Sequence, residues 1–155
     1  MVARKALPDE DHVMRFVPYG RQHRDPDTDT FLGLTPQAME LRADDKGGLS
    51  VTWVEHFGPN VIATKRVAAI AFREALDSKH IGGEAVFASA QVKAVVQAGR
   101  DYGKSIRVVH DPVPGNPGHA EVRHFSDEDL RLLDLLAAEV FIEIDKVSDL
   151  KLPKI

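Results

Sequence analysis

No cysteine occurs among the 155 residues of this sequence. Its absence excludes disulfide bonds, thiolate zinc sites, iron–sulfur clusters and cysteine nucleophiles. The sequence also lacks an apolar run near the roughly 20 residues that a membrane-spanning helix needs, because four charged side chains interrupt its longest apolar region, residues 130–144. Residues 1–11 are charged and contain a proline, unlike the apolar stretch of a secretory signal. We therefore expect a cytoplasmic protein without a membrane partner.

A strong net charge is missing as well. Twenty Lys and Arg residues against 24 Asp and Glu residues give a formal charge of −4, which argues against a general nucleic-acid coat. One short segment is locally basic, and aspartates at positions 25, 27 and 29 offset its charge; its basic members are Arg15, Arg21, His23 and Arg24. We expect this segment to be solvated, and nucleic acid is not an expected partner.

The length and the apolar content suit one globular domain over residues 1–155. A chain of this size buries roughly 68–70% of its unfolded surface, which supports one hydrophobic core. The sequence is 43% apolar and 28% charged, which excludes a collagen-like or mucin-like chain. Within this domain, we expect residues 1–11 to form a flexible arm.

Alternating and helical periodicities predict an α+β fold. The clearest alternation covers residues 38–43 and 49–55, and the glycines between them predict an antiparallel hairpin. A helix opened by Gly58-Pro59-Asn60 is expected to run to about residue 79. The other expected elements are strands at 12–19, 85–88, 106–109 and 120–125 and a helix at 90–99. This order predicts an antiparallel or mixed sheet of about five strands with three helices packed on it.

The last predicted helix covers residues 126–147. Ser126 is a favourable N-cap, and Asp129 stands three residues later in the position of a capping box. The apolar stripe of this helix is wider than one core face requires. Such a stripe either is fully buried or forms an interface. The interface alternative predicts a homodimer or a partner-binding protein of the antitoxin or immunity type, in contact through Leu132, Leu136 and Ile142.

Three motif-like segments do not carry the chemistry that they suggest. Residues 25–36 begin like a calcium-binding EF-hand loop but have threonine at its sixth position and proline at its twelfth. Residues 99–105 resemble a phosphate-binding loop with one residue too few, between a helix and a strand in the reverse of the required order. His119-Ala120-Glu121 matches the first half of the zinc-deaminase signature, whose second half requires cysteines.

Residues 110–124 hold the strongest chemical signal. They contain three of the seven histidines, together with prolines that stiffen the chain. If residues 119–124 form a strand, its period of two places His119, Glu121 and Arg123 on one face, about 6.5–7 Å apart. Histidine transfers protons near neutral pH, glutamate orients an imidazole, and arginine holds a carboxylate or phosphate.

We therefore predict a site for binding or acid–base processing of a small anionic ligand, centred on His119. The predicted catalytic residues are His119, Glu121 and His110. The predicted ligand-binding residues are Arg123, Asn116 and Asp111. His110 and Asp111 follow the preceding strand and are expected at the same rim.

No cofactor and no metal ion are expected at this site. His119 and His124 point in opposite directions on a strand, which disfavours a shared metal ion. A purely structural interpretation stays open, because alternating polar residues are typical of a solvated strand face. In that interpretation, Asn116 and His119 bond backbone groups of the loop.

Two segments are similar to paired motifs of small, uncharacterised bacterial proteins. They are Leu49-Ser50-Val51-Thr52-Trp53 with Glu55, and Asn116-Pro117-Gly118-His119-Ala120-Glu121-Val122. The resemblance is confined to these scattered segments and implies no activity. It adds weight to the loop around His119.

Overall fold

A six-stranded antiparallel sheet forms the centre of the computed structural model, which describes residues 4–41 and 48–154. The strands are β1 (His12–Val17), β2 (Gln22–Arg24), β3 (Phe31–Leu34), β4 (Gly48–Trp53), β5 (Val86–Gln91), β6 (Arg107–His110), β7 (His119–Arg123) and β8 (Glu143–Lys146). The large sheet has the order β6-β7-β4-β1-β5-β8, and β2 and β3 form a separate pair.

Helices cover both faces of this sheet. They are α1 (Ile62–Glu74), α2 (Val92–Asp101), α3 (Leu130–Leu135) and α4 (Val147–Leu150), and a π-helical turn (Leu136–Val140) continues α3. Side chains alternate along β1, so Val13 and Val17 share a core with α2 and α3, whereas Met14 packs in a second core with α1 and α4. The result is three layers, with the sheet in the middle.

The predicted α+β class is confirmed, with six strands in the main sheet. Alternation located β4, a β-branched run located β6, and the strands expected at 12–19 and 120–125 form as β1 and β7. The expected helices at the centre of the chain also form, as α1 and α2. No helix in the described ranges is both long enough and apolar enough to cross a membrane.

The predicted hairpin of residues 38–43 with 49–55 is wrong over the described residues. Residues 36–39 form a 3₁₀ turn that buries Ala38 and Met39, and residues 42–47 lie outside the described ranges. β4 pairs instead with β1 on one side and β7 on the other. Both edges of β4 are therefore occupied by distant strands, which leaves no edge for a local partner.

The predicted helix over 126–147 is also wrong in its second half. Helix α3 and its π-helical turn end before Phe141, which is fully buried, and the chain then forms β8 against β5. The wide apolar stripe therefore belongs to two elements with different neighbours. The predicted N-cap Ser126 is also wrong, because α3 begins at Leu130 and its N-cap is Asp129. One of the two contacts of the predicted capping box forms, since the backbone N–H of Ser126 donates to the Asp129 carboxylate at 2.8 Å.

The residues chosen for a homodimer contact are mostly inside the protein. Leu132 is 1% exposed and Leu136 is 0% exposed, so neither offers surface to a second copy. Ile142 is 63% exposed because it lies at the bend between the π-helical turn and β8. An interface through all three side chains is therefore incompatible with this fold.

The N-terminal segment packs on the domain from residue 4 onwards instead of forming a free arm. Ala6 forms a bridge with Val109 of β6, and the N–H of Leu7 donates to the carbonyl of Val108 at 2.9 Å. Leu7 is buried in the core. Residues 1–3 of the expected arm lie outside the described ranges. This pairing covers the β6 edge of the sheet.

We expect Leu136→Ala to lower the free energy of unfolding by about 2–5 kcal/mol, because truncation of a fully buried leucine leaves a cavity. Ile142→Ala is the matched control at an exposed position and is expected to change that free energy by less than about 0.5 kcal/mol. Urea denaturation measures both. Equal losses would contradict the division of the stripe into a buried part and an exposed part.

Candidate functional site

A cavity of about 330 Å³ opens between the C-terminal end of α1, the sheet and the loop that joins β6 to β7. Its size is near the lower end of the range for small-molecule sites. The polar residues of its lining are Arg15, Ser50, Asn116 and His119. The apolar residues of its lining are Phe16, Phe72, Ala75, Leu76 and Val113. Few polar groups among apolar walls are typical of a binding pocket.

The loop between β6 and β7 is fixed to its surroundings. Val113 and Asn116 exchange two backbone hydrogen bonds, of 3.1 and 3.0 Å. Gly115, with φ of +88°, approaches α1 so closely that a Cβ there would lie 2.7 Å from the carbonyl oxygen of Glu74. Glycine is therefore required at this position by both conformation and space. The loop forms a stiff wall of the cavity.

Asn116 ties this loop to β4. Its side-chain Nδ2 donates to Thr52 Oγ1 at 3.0 Å, and its Oδ1 accepts the N–H of Gly118 at 3.0 Å. The side chain is buried, and these two hydrogen bonds satisfy both of its polar ends. Asn116 lines the cavity, and its contacts are those of a residue that holds the loop.

His119 lies at the start of β7, opposite Thr52 of β4. Its Nδ1 is 2.8 Å from the backbone carbonyl oxygen of Asp111 and 3.5 Å from the Asp111 carboxylate. Both of these groups only accept hydrogen bonds, so Nδ1 carries a proton. In the neutral ring Nε2 is then an acceptor, and the hydroxyl of Ser50, at 3.0 Å, donates to it. The contacts of the ring therefore select one tautomer.

Glu121 and Asp111 form a hydrogen-bonded carboxyl pair behind His119. Burial raises the pKa of Glu121 to about 7, and the hydrogen bond and negative charge of Asp111 act in the same direction. Arg123 and Arg4 oppose this rise, with guanidinium nitrogens 3.6 and 3.8 Å from the carboxylate. Glu121 therefore holds a proton at a pH at which an ordinary carboxyl group has lost it.

The pKa of Asp111 moves in the opposite direction. Burial alone raises the pKa of this carboxyl, but the hydrogen bond from Glu121 and the charges of Arg4, His119 and Arg123 outweigh burial and lower it. The Arg4 guanidinium lies 3.2 Å from the Asp111 carboxylate. Between pH 3.8 and about pH 7 the pair thus carries one proton, on Glu121, and one negative charge, on Asp111 next to His119.

The backbone of β4 approaches Glu121 closely at Gly48. A Cβ at this glycine would lie 1.8 Å from Oε2 of Glu121, so a side chain there would displace the carboxyl group. Glu121 itself is only 8% exposed. Packing from β4 therefore presses the carboxyl group into contact with its neighbours on β7 and the loop.

The structure brings together three of the six predicted site residues, His119, Glu121 and Asp111. Arg123 flanks them and pairs with Glu121. Of the six, the described lining of the cavity contains His119 and Asn116.

His110 lies apart from the carboxyl pair. Its register partner is Ala120, which points to the core face of β7. The ring contacts Trp53 and His56, with centroid distances of 5.2 and 5.5 Å, and Nε2 lies 2.7 Å from the carbonyl oxygen of Pro117. These contacts support the far end of the loop.

Sequence reasoning missed Ser50 and Arg4 as site residues and assigned Arg15 to a solvated patch. Arg15 is 6% exposed, and it shares its side of β1 with the buried Val13 and Val17. A charged side chain between two core positions of a strand was the signal available for it. Ser50 and Arg4 gave no local signal, because distant chain segments bring them to the site.

Arg15 fills the place where β1 and β4 separate. The two strands pair at Val13 and Met14. At the next residue, Arg15 donates from its guanidinium to the carbonyl oxygens of Ser50, at 2.9 Å, and Ala38, at 3.0 Å. The positive charge is thus held beside Ser50 at the cavity.

Known proteins add no information to this site. Comparisons of the chain with protein-family models, with curated proteins and with solved structures gave no match. Among the described residues, no group of three or more His, Asp and Glu side chains is arranged to hold a metal ion. The function is therefore argued from the geometry alone.

Glu121→Gln is expected to flatten the pH dependence of stability between pH 4.5 and about pH 7. In that interval the folded chain keeps a proton that the unfolded chain has released, so wild-type stability falls as the pH rises. The lowered pKa of Asp111 acts below its ordinary value of 3.8, outside this interval. Urea denaturation across the pH range measures the effect.

Glu139→Gln makes the same chemical change at an exposed position and serves as the control. It is expected to leave the slope of stability against pH unchanged in this interval. A Glu121→Gln variant with the wild-type slope would show that Glu121 does not hold the extra proton.

Proposed function

We propose that the protein binds a small ligand with a carboxylate or phosphate group in this cavity, and that His119 exchanges a proton with it. The observation that carries the proposal is the position of the His119 ring, which lines the cavity in the tautomer with an accepting Nε2. A base held in one orientation at a cavity wall meets the geometric requirement for general acid–base chemistry.

The positive charge for the anionic group comes from Arg15 in this proposal. Arg123, the expected anion holder, lies 3.6 Å from the Glu121 carboxylate and is not in the described lining of the cavity. Arg15 lines the cavity, and hydrogen bonds to the backbone carbonyls of Ala38, Ser50 and Glu40 fix its guanidinium. A charge in a poorly solvated place attracts an anion more strongly than a charge in water does.

The remaining walls define the rest of the ligand. Phe16, Phe72 and Leu76 present apolar surface to the same cavity. Phe16 and Phe72 stack at a centroid distance of 5.0 Å, which makes this wall rigid. The volume of about 330 Å³ accommodates a small molecule. The ligand is therefore a short acid or phosphate ester with an apolar body.

Asp111 and Glu121 act behind the cavity as positioning residues. The Asp111 carbonyl and carboxylate hold the Nδ1 side of His119, and Glu121 hydrogen-bonds to that carboxylate. The Asp111 carboxylate lies 3.5 Å from Nδ1 of His119, on the side of the ring away from Ser50. The catalytic role first expected of Glu121 thus becomes one of orientation.

A second candidate function is partner binding by a groove between β3 and the end of the π-helical turn that follows α3. Leu32 and Ile142, 54% and 63% exposed, line this groove together. This is the part of the expected homodimer surface that remains exposed. Light scattering of wild type and of Ile142→Asp measures whether a dimer exists and whether this groove forms its interface.

A cytoplasmic location and the lack of a nucleic-acid partner stay predictions from the sequence.

Ligand binding is expected to weaken at least tenfold in Leu76→Trp, because the introduced indole ring is larger than the leucine side chain and fills part of the cavity that Leu76 lines. Val67→Trp places the same ring on α1 at a position 45% exposed, and it is expected to bind like wild type. Ligand-observed NMR with hexanoate, benzoate and phenyl phosphate measures the affinities. No binding of any probe by wild type, or equal weakening in both variants, would contradict the proposal.

Proton exchange with His119 predicts that a bound anion changes the number of protons on the protein. Calorimetric titration at pH 7 in buffers of different ionisation enthalpy is expected to show proton uptake by wild type. His119→Gln is expected to abolish this uptake, and His124→Gln, which changes an exposed ring, is expected to retain it. Uptake that survives in His119→Gln would assign the proton to another group.

A further inference from the structure

Ser50 lies in contact with both His119 and the cavity. Its hydroxyl donates to Nε2 of His119 at 3.0 Å, and the residue lines the cavity. Its backbone carbonyl accepts from the Arg15 guanidinium, so the chain at Ser50 is held from β1 as well as from β7. A serine on a central strand is therefore fixed with its hydroxyl between a base and an open space.

Ser50, His119 and Asp111 together form a hydroxyl–imidazole–acceptor chain. They come from three separate segments, β4, β7 and the loop after β6. The hydroxyl–imidazole distance of 3.0 Å and the Nδ1–carbonyl distance of 2.8 Å are those of hydrogen bonds. The Asp111 carboxylate, 3.5 Å from Nδ1, adds a negative charge on the same side of the ring. Nucleophile, base and orienting group are the parts that activate a serine.

We infer that Ser50 is a nucleophile and that the cavity hydrolyses small carboxylic esters with an apolar acyl group. This inference rests on the proposed function of the cavity and names the substrate class of the same site. The apolar walls hold the acyl group next to the hydroxyl. The carboxylate ligand of the binding proposal is then the acid released by the reaction.

The reaction has two displacement steps. In the first step, Ser50 Oγ forms a bond to the ester carbonyl carbon while His119 Nε2 takes the hydroxyl proton. The carbon–oxygen bond to the alcohol then breaks, and the alcohol leaves with the proton from Nε2. In the second step, water attacks the acyl-serine and gives its proton to Nε2. The acyl–Oγ bond breaks, the acid leaves, and Ser50 Oγ recovers the proton.

Arg15 stabilises the negative oxygen that forms in each step. Its guanidinium donates to the Ser50 backbone carbonyl at 2.9 Å, and Arg15 is among the residues that line the cavity. A fixed positive charge near a developing oxyanion lowers the energy of the transition state. The same charge attracts the carboxylate of the product acid. The ester-hydrolysis inference and the ligand-binding proposal therefore assign the same role to Arg15.

Covalent labelling tests the nucleophile directly. A small alkyl fluorophosphonate probe forms an oxygen–phosphorus bond with an activated serine and releases fluoride. We expect one adduct in the intact mass, located at Ser50 by peptide mapping. Ser50→Ala is expected to abolish the adduct, and His119→Gln is expected to slow labelling at least a hundredfold. Ser148→Ala, at an exposed position, is expected to label like wild type.

The absence of cysteine provides a second measurement, because Ser50→Cys has the only thiol in the protein. A thiol next to His119 is activated as a thiolate. At pH 6 we expect it to react with iodoacetamide at least tenfold faster than the exposed thiol of Ser148→Cys. His119→Gln in the Ser50→Cys background is expected to remove this advantage.

Hydrolysis, labelling and binding measurements together distinguish a failure of the nucleophile inference from a failure of the binding proposal. Wild type is expected to hydrolyse p-nitrophenyl butyrate, with the activity lost in Ser50→Ala. If Ser50 is not labelled and hydrolysis does not depend on it, while hexanoate still binds in the cavity, the nucleophile inference is overturned and the binding proposal stands. If hexanoate also fails to bind, both are overturned. Equal thiol reactivity at positions 50 and 148 also contradicts the nucleophile.

Discussion

The register of β7 is the constraint on which the site depends. Ala120 and Val122 are both fully buried, and they hold one face of β7 against the core beneath α2 and α3. His119 and Glu121 must then point to the other face. Pairing with β4 sets Glu121 opposite Ser50 and His119 opposite Thr52. A slip of one residue would turn His119 and Glu121 into the apolar core and move Ala120 and Val122 out of it, so hydrophobic burial fixes the position of the site residues.

This arrangement places an unusual density of charge near the sheet. Two carboxyl groups and two guanidinium groups surround the Nδ1 side of one imidazole. Bringing two carboxyl groups together opposes the ionisation of both, and here one of them keeps its proton. Such a cluster of charges is therefore not evidence that the folded state is stabilised. Its effect on the site is to place one negatively charged carboxylate, that of Asp111, next to His119.

The cavity arises from an interruption of the sheet. β1 and β4 pair at Val13 and Met14, after which the Arg15 guanidinium takes over hydrogen bonds from the strand ladder. The end of α1 and the loop carrying Asn116 close the space above this point. A charged side chain in place of ladder contacts is a departure from regular structure, and such departures concentrate at functional sites. The apolar walls from Phe16 and Phe72 belong to the second core of the protein.

The sequence by itself determined the α+β class, most strand positions, the face shared by His119 and Glu121, and the exclusion of all cysteine chemistry. These are local properties, set by side-chain period and by composition. Only the tertiary structure decided that β4 pairs with β1 and β7, that α3 and its π-helical turn end before Phe141, and that Ser50 and Arg15 line one cavity with His119. The physical reason is that strand pairing and burial are competitions between distant segments. The β5 edge was available to residues 143–146, and pairing there competed with a longer helix. In the same way, Ser50 reaches His119 from 69 positions away, a separation that no local pattern encodes, whereas Asp111, 8 positions away, was expected nearby.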